Sequence, residues 1–150
     1  MFNYPSDIFN QSAVIPFKIE KKGIKVLLIK SRKGKWIIPK GIIENKLTPQ
    51  ESALKEAIEE AGVDGEVLND FVGEYKYEKW GGTCNVKVYL MRVDKELQSW
   101  EEDFFRVRKW FSLKKAVKKI SKAELSDIIK NIPGIVKDQV DINDKVRVVE

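Results

Sequence analysis

The sequence contains no histidine among its 150 residues. Histidine is the most frequent general base of enzymes and a common zinc ligand, so its absence excludes histidine-based phosphohydrolases and His-ligated zinc sites. Cysteine is almost as scarce, since Cys84 stands alone and cannot form a disulfide within the chain. Hydrolytic chemistry must therefore come from carboxylates and from what they bind.

Long apolar runs are lacking as well. No stretch approaches the roughly 20 apolar residues that cross a membrane, and residues 1–11 lack the basic start and apolar core of a signal peptide. Cys84 falls in a strand-like run, where we expect it to pack in the core. These features predict a cytoplasmic protein with no membrane partner.

The composition is that of an ordinary globular domain, with 43% apolar and 34% charged residues. A chain of this length is expected to form one domain, residues 1–150, around one core. The segment 135–150 is rich in charge, and the sequence assigns it no role. Nothing in the sequence fixes the oligomeric state, so both a monomer and a homodimer stay open.

Cationic residues gather just before an acidic stretch, although the formal net charge is only +5. A polyanionic substrate would need cations for its phosphates and a metal for the bond that is cut. A solvated basic loop is the alternative interpretation of these residues. The cations are Lys30, Arg32, Lys33, Lys35 and Lys40.

Residues 48–62 carry the start and stop signals of a short helix. Thr48 suits the N-cap, Pro49 suits the first helical position, and Glu51 completes a capping box of the form T-x-x-E. Gly62 stands where a helix end needs a left-handed residue. The pattern predicts a helix from Pro49 to Ala61.

Within this helix, Glu56, Glu59 and Glu60 are spaced i, i+3 and i+4, which places their carboxylates on one side. Such crowding is unfavourable unless a cation lies there, and Mg²⁺ prefers oxygen ligands. A solvated helix face is the alternative. The context favours the metal site, because an apolar run at residues 36–38, a Pro-Lys-Gly turn at residues 39–41 and a loop precede the helix.

The stretch from residue 41 to residue 63 resembles a Nudix box, whose pattern is G, five residues, E, seven residues, and R-E-U-x-E-E-x-G-U with U apolar. The spacing matches from end to end. Leu47 stands where the first glutamate is expected, and Lys55 stands where the arginine is expected. The matching residues are Gly41, Glu56, Glu59, Glu60, Gly62 and Val63.

The resemblance implies a bound Mg²⁺, with Mn²⁺ as a substitute. In the family the metal is held by the later glutamates and by a backbone carbonyl near the leading glycine. The implied ligands and catalytic carboxylates here are Glu56, Glu59 and Glu60, together with the carbonyl of Gly41.

The two departures affect a different part of the motif. In the family, the first glutamate and the arginine brace the loop against the helix, so Leu47 and Lys55 bear on loop precision and turnover more than on metal binding. Glu51 lies one turn before Lys55 in the favourable order, and we expect it to become the partner of Lys55.

The remaining chain reads as strands followed by helices, with residues 80–83 as a hairpin turn. This order predicts an α+β fold, an α/β/α sandwich in which helices flank a mixed sheet, and it resembles the Nudix fold. The predicted strands are Ala13–Ile19, Ile24–Lys30, Trp36–Ile38, Glu66–Tyr77, Asn85–Val93 and Val107–Phe111. The later predicted helices are Leu113–Ile120 and Ala123–Asn131.

Runs outside the box resemble the Nudix branch that hydrolyses diadenosine polyphosphates and diphosphoinositol polyphosphates. They lie at residues 36–41, 88–91, 99–102 and 108–111. The resemblance implies a Mg²⁺-dependent pyrophosphohydrolase acting on a nucleoside polyphosphate or diadenosine polyphosphate. A domain that senses a nucleotide with little turnover and an RNA 5′-end pyrophosphohydrolase are the alternatives.

Several side chains can be given roles on this hypothesis. Glu59 is the first candidate for the general base, because its flanking position leaves it freest of direct ligation. A later acidic loop, Glu101, Glu102 and Asp103, supplies reserve candidates, although a solvated turn is the competing interpretation. The predicted phosphate contacts are Arg32, Lys35 and Lys40.

The tryptophans divide into two groups. Trp80 lies on the predicted hairpin turn, where it can stack on a base or cap the surface. Trp36, Trp100 and Trp110 are assigned to the core or its edge.

Overall fold

The computed structural model describes residues 7–137. Within them, eight strands and three complete helices follow one another, the first helix continues into a π-helical turn, Ala57–Ala61, and residues 132–137 are helical as well. The strands are β1 (Ile8–Glu20), β2 (Gly23–Lys30), β3 (Trp36–Ile37), β4 (Lys40–Ile42), β5 (Val63–Val67), β6 (Gly73–Lys79), β7 (Gly82–Glu96) and β8 (Arg108–Ser112). The helices are α1 (Pro49–Glu56), α2 (Leu113–Lys119) and α3 (Ala123–Lys130).

The strands form one mixed sheet. Its main path runs β3-β2-β1-β7-β5, while β4 pairs with β1, β6 with β7 and β8 with β2. The parallel pair of β1 and β7 extends from Ile8 opposite Thr83 to Phe17 opposite Arg92, and the other pairs are antiparallel. A parallel pair needs a long crossover, and residues 21–81 provide it.

Helices cover both faces of this sheet. Side chains alternate along β1, so that Ala13 and Ile15 pack toward α2 and α3, whereas Val14 packs with Ala53 and Ala57 beneath α1. The predicted α/β/α sandwich is thus confirmed. Cys84 is fully buried, as expected.

The single strand predicted over Glu66–Tyr77 is wrong, because the chain forms β5 and β6 with residues 68–72 between them. Both strands pair with β7, β5 along its second half and β6 along its first. The link follows the same edge, where the Leu68 and Val72 amides donate to carbonyls of β7. Asn69 and Asp70 are residues typical of turns. Because apolar residues flank them, the segment read as one continuous strand.

The other predicted boundaries differ less. Strand β1 begins five residues earlier than predicted, at Ile8, and the turn predicted at residues 39–41 is replaced by β4, in which residues 40–42 pair with β1. The predicted turn at residues 80–83 is confirmed: Trp80 and Gly81 form a two-residue hairpin loop with φ of 58° and 72°. That conformation is typical of a type I′ turn.

The C-terminal segment 135–150 is described only in part. Val136 is buried in the core and Ile135 packs against it, while residues 138–150 lie outside the described part of the chain. Within residues 7–137, no helix has the length and apolar character needed to cross a membrane.

Candidate active site

The start of α1 follows the predicted capping box. The Thr48 hydroxyl accepts from the Glu51 amide at 3.1 Å, and the Glu51 carboxylate accepts from the Thr48 amide at 2.9 Å. The Thr48 backbone amide, and after it the Thr48 hydroxyl, lower the pKa of the Glu51 carboxyl group by hydrogen-bonding. Because Glu51 is committed to the cap, the predicted pairing of Glu51 with Lys55 is wrong.

Lys55 pairs instead with Glu44, a residue of the loop before α1. Its ammonium lies 2.6 Å from the Glu44 carboxylate and 3.8 Å from that of Glu59. The Glu44 amide also donates to the Ser52 hydroxyl at 3.1 Å. We call Glu44, Ser52 and Lys55 the loop brace. It connects the loop to the helix through Glu44, which lies three residues before Leu47. Leu47 takes no part in the brace and lines an apolar surface groove.

The helix ends at Gly62, as predicted, in the left-handed conformation with φ of 65°. Its last turn is π-helical over Ala57–Ala61, where the sequence predicted regular α-helix. π turns are frequent at functional sites. Donors from the β7–β8 connection and β8 satisfy the carbonyls there: the Glu102 amide bonds to Glu59, the Trp100 indole to Glu60, and the Arg108 guanidinium to Ala61 and Gly62.

Glu56 and Glu60 meet beneath this turn, where their carboxyl groups hydrogen-bond to each other. Glu60 is buried, with 8% of its surface exposed. Burial, the bond with Glu56 and the charge of Glu56 together raise the pKa of Glu60 to about 9. Burial likewise raises the pKa of Glu56. The two groups therefore share a proton near neutral pH.

Arg106 is the cation that faces this pair, although no motif in the sequence marks it. Its guanidinium bonds to the Glu102 carboxylate at 3.0 Å and to the Lys30 carbonyl at 3.0 Å, and it lies 3.9 Å from the Glu60 carboxylate. Its side chain is only 12% exposed. The spacing of Glu102 and Arg106, one helical turn apart, was the available signal.

Gly41 touches the carboxyl pair from the sheet. A Cβ on Gly41 would come within 2.3 Å of the Glu56 carboxyl carbon, so no larger residue fits without displacing that group. On the adjacent residue, the Lys40 amide donates to the Glu60 carboxylate at 3.3 Å. The first two residues of β4, Lys40 and Gly41, therefore contact these two carboxyl groups.

The donor set at this place fits a hard divalent cation. It consists of oxygen atoms, one of its two carboxyl groups (Glu60) is buried and the other (Glu56) half-buried, and Gly41 brings backbone directly against Glu56. Among residues 7–137, no three acidic or cysteine side chains converge at metal-binding distance. Glu56 and Glu60 come together, while Glu59 lies beside Lys55. The assignment of metal to Glu56, Glu59, Glu60 and Gly41 stays a prediction.

The predicted phosphate contacts lie at different places. The Lys40 ammonium lies 5.1 Å from the centre of the Tyr77 ring, and burial lowers its pKa. Arg32 is exposed and stacks on Phe105 at 3.9 Å, beside Arg106. Lys35 is exposed at the turn after β2, where its amide bonds to the Ser31 hydroxyl. Lys40 and Arg32 thus border the site, and Lys35 lies farther along the loop.

Of the acidic loop at residues 101–103, only one residue likewise lies near the site. Of its three candidates, Glu102 reaches the site through Arg106, whereas Asp103 accepts the Trp100 amide and Glu101 is exposed. Trp80 is 48% exposed and contacts Phe9 edge-on, which favours the interpretation as a surface cap.

A cavity of about 200 Å³ opens on the other face of the sheet, and we call it the aromatic cavity. The ammonium of Lys122 lies 5.2 Å from the centre of the Tyr75 ring and 5.8 Å from that of Tyr77. The Tyr77 hydroxyl donates to buried Gln11 at 2.7 Å, and burial is the main cause that raises the pKa of Tyr77 to about 12. The lining residues are Trp36, Ile37, Ile38, Lys40, Tyr75, Tyr77, Ile120, Ser121, Lys122 and Leu125.

A mixed sheet between helices defines an α/β/α sandwich, and this one gathers acidic and basic side chains at the end of one helix. The particular family follows from comparison with known proteins. The model of the NUDIX domain matches residues 10–132, and the chain belongs to the Nudix family.

Curated relatives agree with this assignment. The chain is 40% identical over 105 residues to Nudix hydrolase 16, mitochondrial, of Arabidopsis thaliana, in a match that covers 64% of the chain and 58% of the relative. It is 30% identical over 118 residues to diphosphoinositol polyphosphate phosphohydrolase 3-beta of Bos taurus, covering 76% and 70% respectively. The matches to four Arabidopsis relatives span about half of their length.

Solved structures share the fold. The C. elegans Ap4A hydrolase binary complex superposes with a TM-score of 0.70 at 18% identity, covering 87% of this chain and 98% of that one. The MutT protein from Methanosarcina mazei Go1 gives 0.67 at 20% identity, covering 90% and 99%. At such identities the likeness establishes the fold alone, and it confirms the predicted Nudix fold.

Proposed function

We propose that this protein hydrolyses a phosphoanhydride bond in a nucleoside polyphosphate or diadenosine polyphosphate, with Mg²⁺ as the metal and Mn²⁺ as a substitute. The observation that carries the proposal is the pair of buried Glu60 and half-buried Glu56 between Gly41 and Arg106. Packing does not require two acids at this place, whereas a bound cation with substrate phosphates would neutralise them.

The metal would be held by Glu56, Glu60 and Glu59, with the carbonyl of Gly41. When bound, it would neutralise phosphate oxygens and make water a stronger nucleophile. The names of the relatives support this class of reaction, since the Bos taurus relative is a diphosphoinositol polyphosphate phosphohydrolase and the C. elegans structure is an Ap4A hydrolase.

The chain's own side chains supply the remaining tasks. Arg106 places a fixed positive charge beside the carboxyl pair, where it can stabilise charge on a phosphate. Lys40 and Arg32, which border the site, can bind phosphates farther along the substrate. Glu59 is outside the bond between Glu56 and Glu60, so it remains our first candidate to accept a proton from water. Glu102, which bonds to Arg106, is the second.

The test is a hydrolysis screen with and without Mg²⁺, with Glu60→Gln as the blank. The panel contains diadenosine tetra- to hexaphosphates, nucleoside triphosphates, dinucleotide cofactors, sugar nucleotides and diphosphoinositol phosphates. We expect Mg²⁺-dependent turnover of a nucleoside polyphosphate that the blank lacks. Silence across the panel, with Mg²⁺ still bound, would favour a sensor instead of an enzyme.

A second candidate, hydrolysis at an RNA 5′ end, is favoured by a separate basic groove. A cavity of about 640 Å³ near the start of α2 is lined by Lys25, Lys109, Lys115 and Lys119. The groove lies where Lys25 of β2 pairs with Ser112 of β8, and Lys30 and Arg108 lie at the other end of this strand pair. If RNA were the substrate, single-stranded RNA would compete with strong salt dependence, and Lys115→Gln with Lys119→Gln would weaken that competition.

A further inference from the structure

The basic groove near the start of α2 gathers lysines from three elements of the chain. Lys25 comes from β2, Lys109 from β8, and Lys115 and Lys119 from α2. The sheet register brings these elements together, because Lys25 pairs with Ser112, the residue that caps α2. The enclosed volume of about 640 Å³ lies within the roughly 300–1,000 Å³ typical of small-molecule sites.

The positive charge of the groove is not balanced by nearby acids. Within residues 7–137, none of the four lysines forms a salt bridge. Helix α2 adds to the imbalance, since its sequence LKKAVKK contains no acidic residue. Lys115 and Lys119 lie one turn apart, and like charges at that spacing destabilise a helix. An anion bound in the groove would neutralise these charges.

The aromatic side chains of the groove are already engaged. The Trp110 indole donates to Glu96 at 2.8 Å, and the Lys18 ammonium lies 4.2 Å from the centre of the Trp110 ring. Phe111 is buried and contacts Trp36 edge-on. Single-stranded nucleic acids are held largely by bases that stack on aromatic faces. The groove therefore suits a compact ligand with several phosphate groups better than the RNA strand considered above.

The groove is also remote from the carboxyl pair. Lys25 lies at the start of the pairing between β2 and β8, whereas Lys30 ends β2, and its carbonyl accepts a bond from Arg106, the cation beside Glu60. Five residues of extended strand span about 16 Å. A small ligand in the groove thus leaves the carboxyl pair free.

We propose that the basic groove is a second anion site, separate from the carboxyl pair, which binds a small molecule that carries several phosphate groups. Lys25 and Lys109 contact the phosphates from the sheet, and Lys115 and Lys119 contact them from α2. Lysine suits this task, because its ammonium is a compact charge with three donors on a flexible stem. The Ser112 hydroxyl accepts the Lys115 amide at 3.3 Å and can donate its own proton to a phosphate oxygen.

Calorimetry on the full chain tests this site without any hydrolysis, so the result is independent of the proposed function. Inorganic phosphate, pyrophosphate and tripolyphosphate are titrated in EDTA, so that no metal links them to the carboxyl pair. We expect one ligand per chain and a Kd that falls at least about tenfold from phosphate to tripolyphosphate, because each phosphate adds charge-assisted contacts. Absence of binding, or equal binding of the three anions, would overturn the proposal.

A matched pair of double variants locates the ligand. Lys115→Gln with Lys119→Gln removes two charges from the groove, and we expect the Kd for tripolyphosphate to rise at least about tenfold. Lys114→Gln with Lys118→Gln removes the same charge at the same spacing on the same helix, but these lysines line a different, apolar groove. In that control the Kd should change less than about threefold. Equal losses in both variants would indicate attraction by net charge alone and would contradict the site.

Three further measurements complete the test. Lys115→Arg with Lys119→Arg keeps both charges and should bind tripolyphosphate within about threefold of the wild type; a loss as large as that of the glutamine variant would contradict a site built on charge. If Arg106→Met abolished binding while the glutamine variant kept it, the anion would lie at the carboxyl pair. If an oligouridylate bound at least about tenfold more tightly than tripolyphosphate through the same lysines, the groove would be a nucleic-acid surface. Either of these two results would also overturn the proposal.

Discussion

The carboxylate helix, which consists of α1 and its π turn, carries similar charges on two sides that differ in exposure to water. On the inner side, Glu60 is buried, hydrogen-bonds to Glu56 and faces Arg106. On the outer side, the loop brace joins Glu44 and Lys55, whose side chains are 49% and 45% exposed. Water screens the outer pair, whereas the inner groups depend on one another for neutralisation. We therefore expect substitutions on the inner side to affect activity more than substitutions on the outer side.

The largest effect should come from the inner side. Glu60→Gln keeps the shape of the side chain and removes a ligand charge, so we expect kcat to fall at least about a hundredfold while the protein stays folded. Steady-state kinetics and circular dichroism measure the two quantities. Glu66→Gln, which changes an exposed acid paired with Arg92, is the control. Activity within a few-fold of wild type would show that the metal assignment is wrong.

Arg106 should rank second. Arg106→Met leaves Glu102 and Glu60 without their cation, and we expect about a ten- to hundredfold loss of kcat together with a lower Tm. The loss of stability should stay below the roughly 3–5 kcal/mol of a fully buried pair, since Glu102 is 25% exposed. Arg106→Lys should recover part of the rate, because it keeps the charge and loses the fork. Full activity in Arg106→Met would place the important charge elsewhere.

The inner pair also predicts a pH dependence of stability in metal-free protein. Glu60 has a folded pKa of about 9, above its ordinary value of 4.5, so the folded state binds the proton more tightly. The stability contributed by this group is complete below pH 4.5 and is lost as the pH rises through about 9. In EDTA, Tm should therefore fall more between pH 6 and pH 9 for wild type than for Glu60→Gln. Parallel curves would contradict the shared proton.

The smallest effects belong to the outer side. Glu44→Gln should leave Tm nearly unchanged and change kcat only a few-fold, because the pair is exposed. Leu47→Glu combined with Lys55→Arg should raise activity or leave it unchanged. A large loss in that double variant would show that the loop depends on Glu44 and Lys55 as they are.

Local signals made the helix predictable. The capping box of Thr48 and Glu51 and the left-handed Gly62 each involve residues within one turn, and both were confirmed. The partner of Lys55 was not predictable in this way. Glu51 had the right spacing, but its carboxylate was already committed to the cap, and the actual partner, Glu44, lies in a loop.

The rest of the site depends on contacts between distant segments. Arg106 reaches Glu60 across 46 positions of sequence, and β4 forms only because β1 lies beside it. The π turn has no local signature either, since its carbonyls are satisfied by Trp100, Glu102 and Arg108 from the later chain. Periodicity and capping rules describe neighbours along the chain, so they could not supply these contacts.

Arg108 has a consequence for how the site opens and closes. Its guanidinium holds the carbonyls of Ala61, Gly62 and Leu97 at once, and the Leu97 amide returns a bond to Gly62. The end of the carboxylate helix and the end of β7 should therefore open as one cooperative unit. Hydrogen exchange at the Gly62 and Leu97 amides would then report one common free energy of opening once each rate is divided by its intrinsic rate, so a molecule that loses one half of the site loses the other with it.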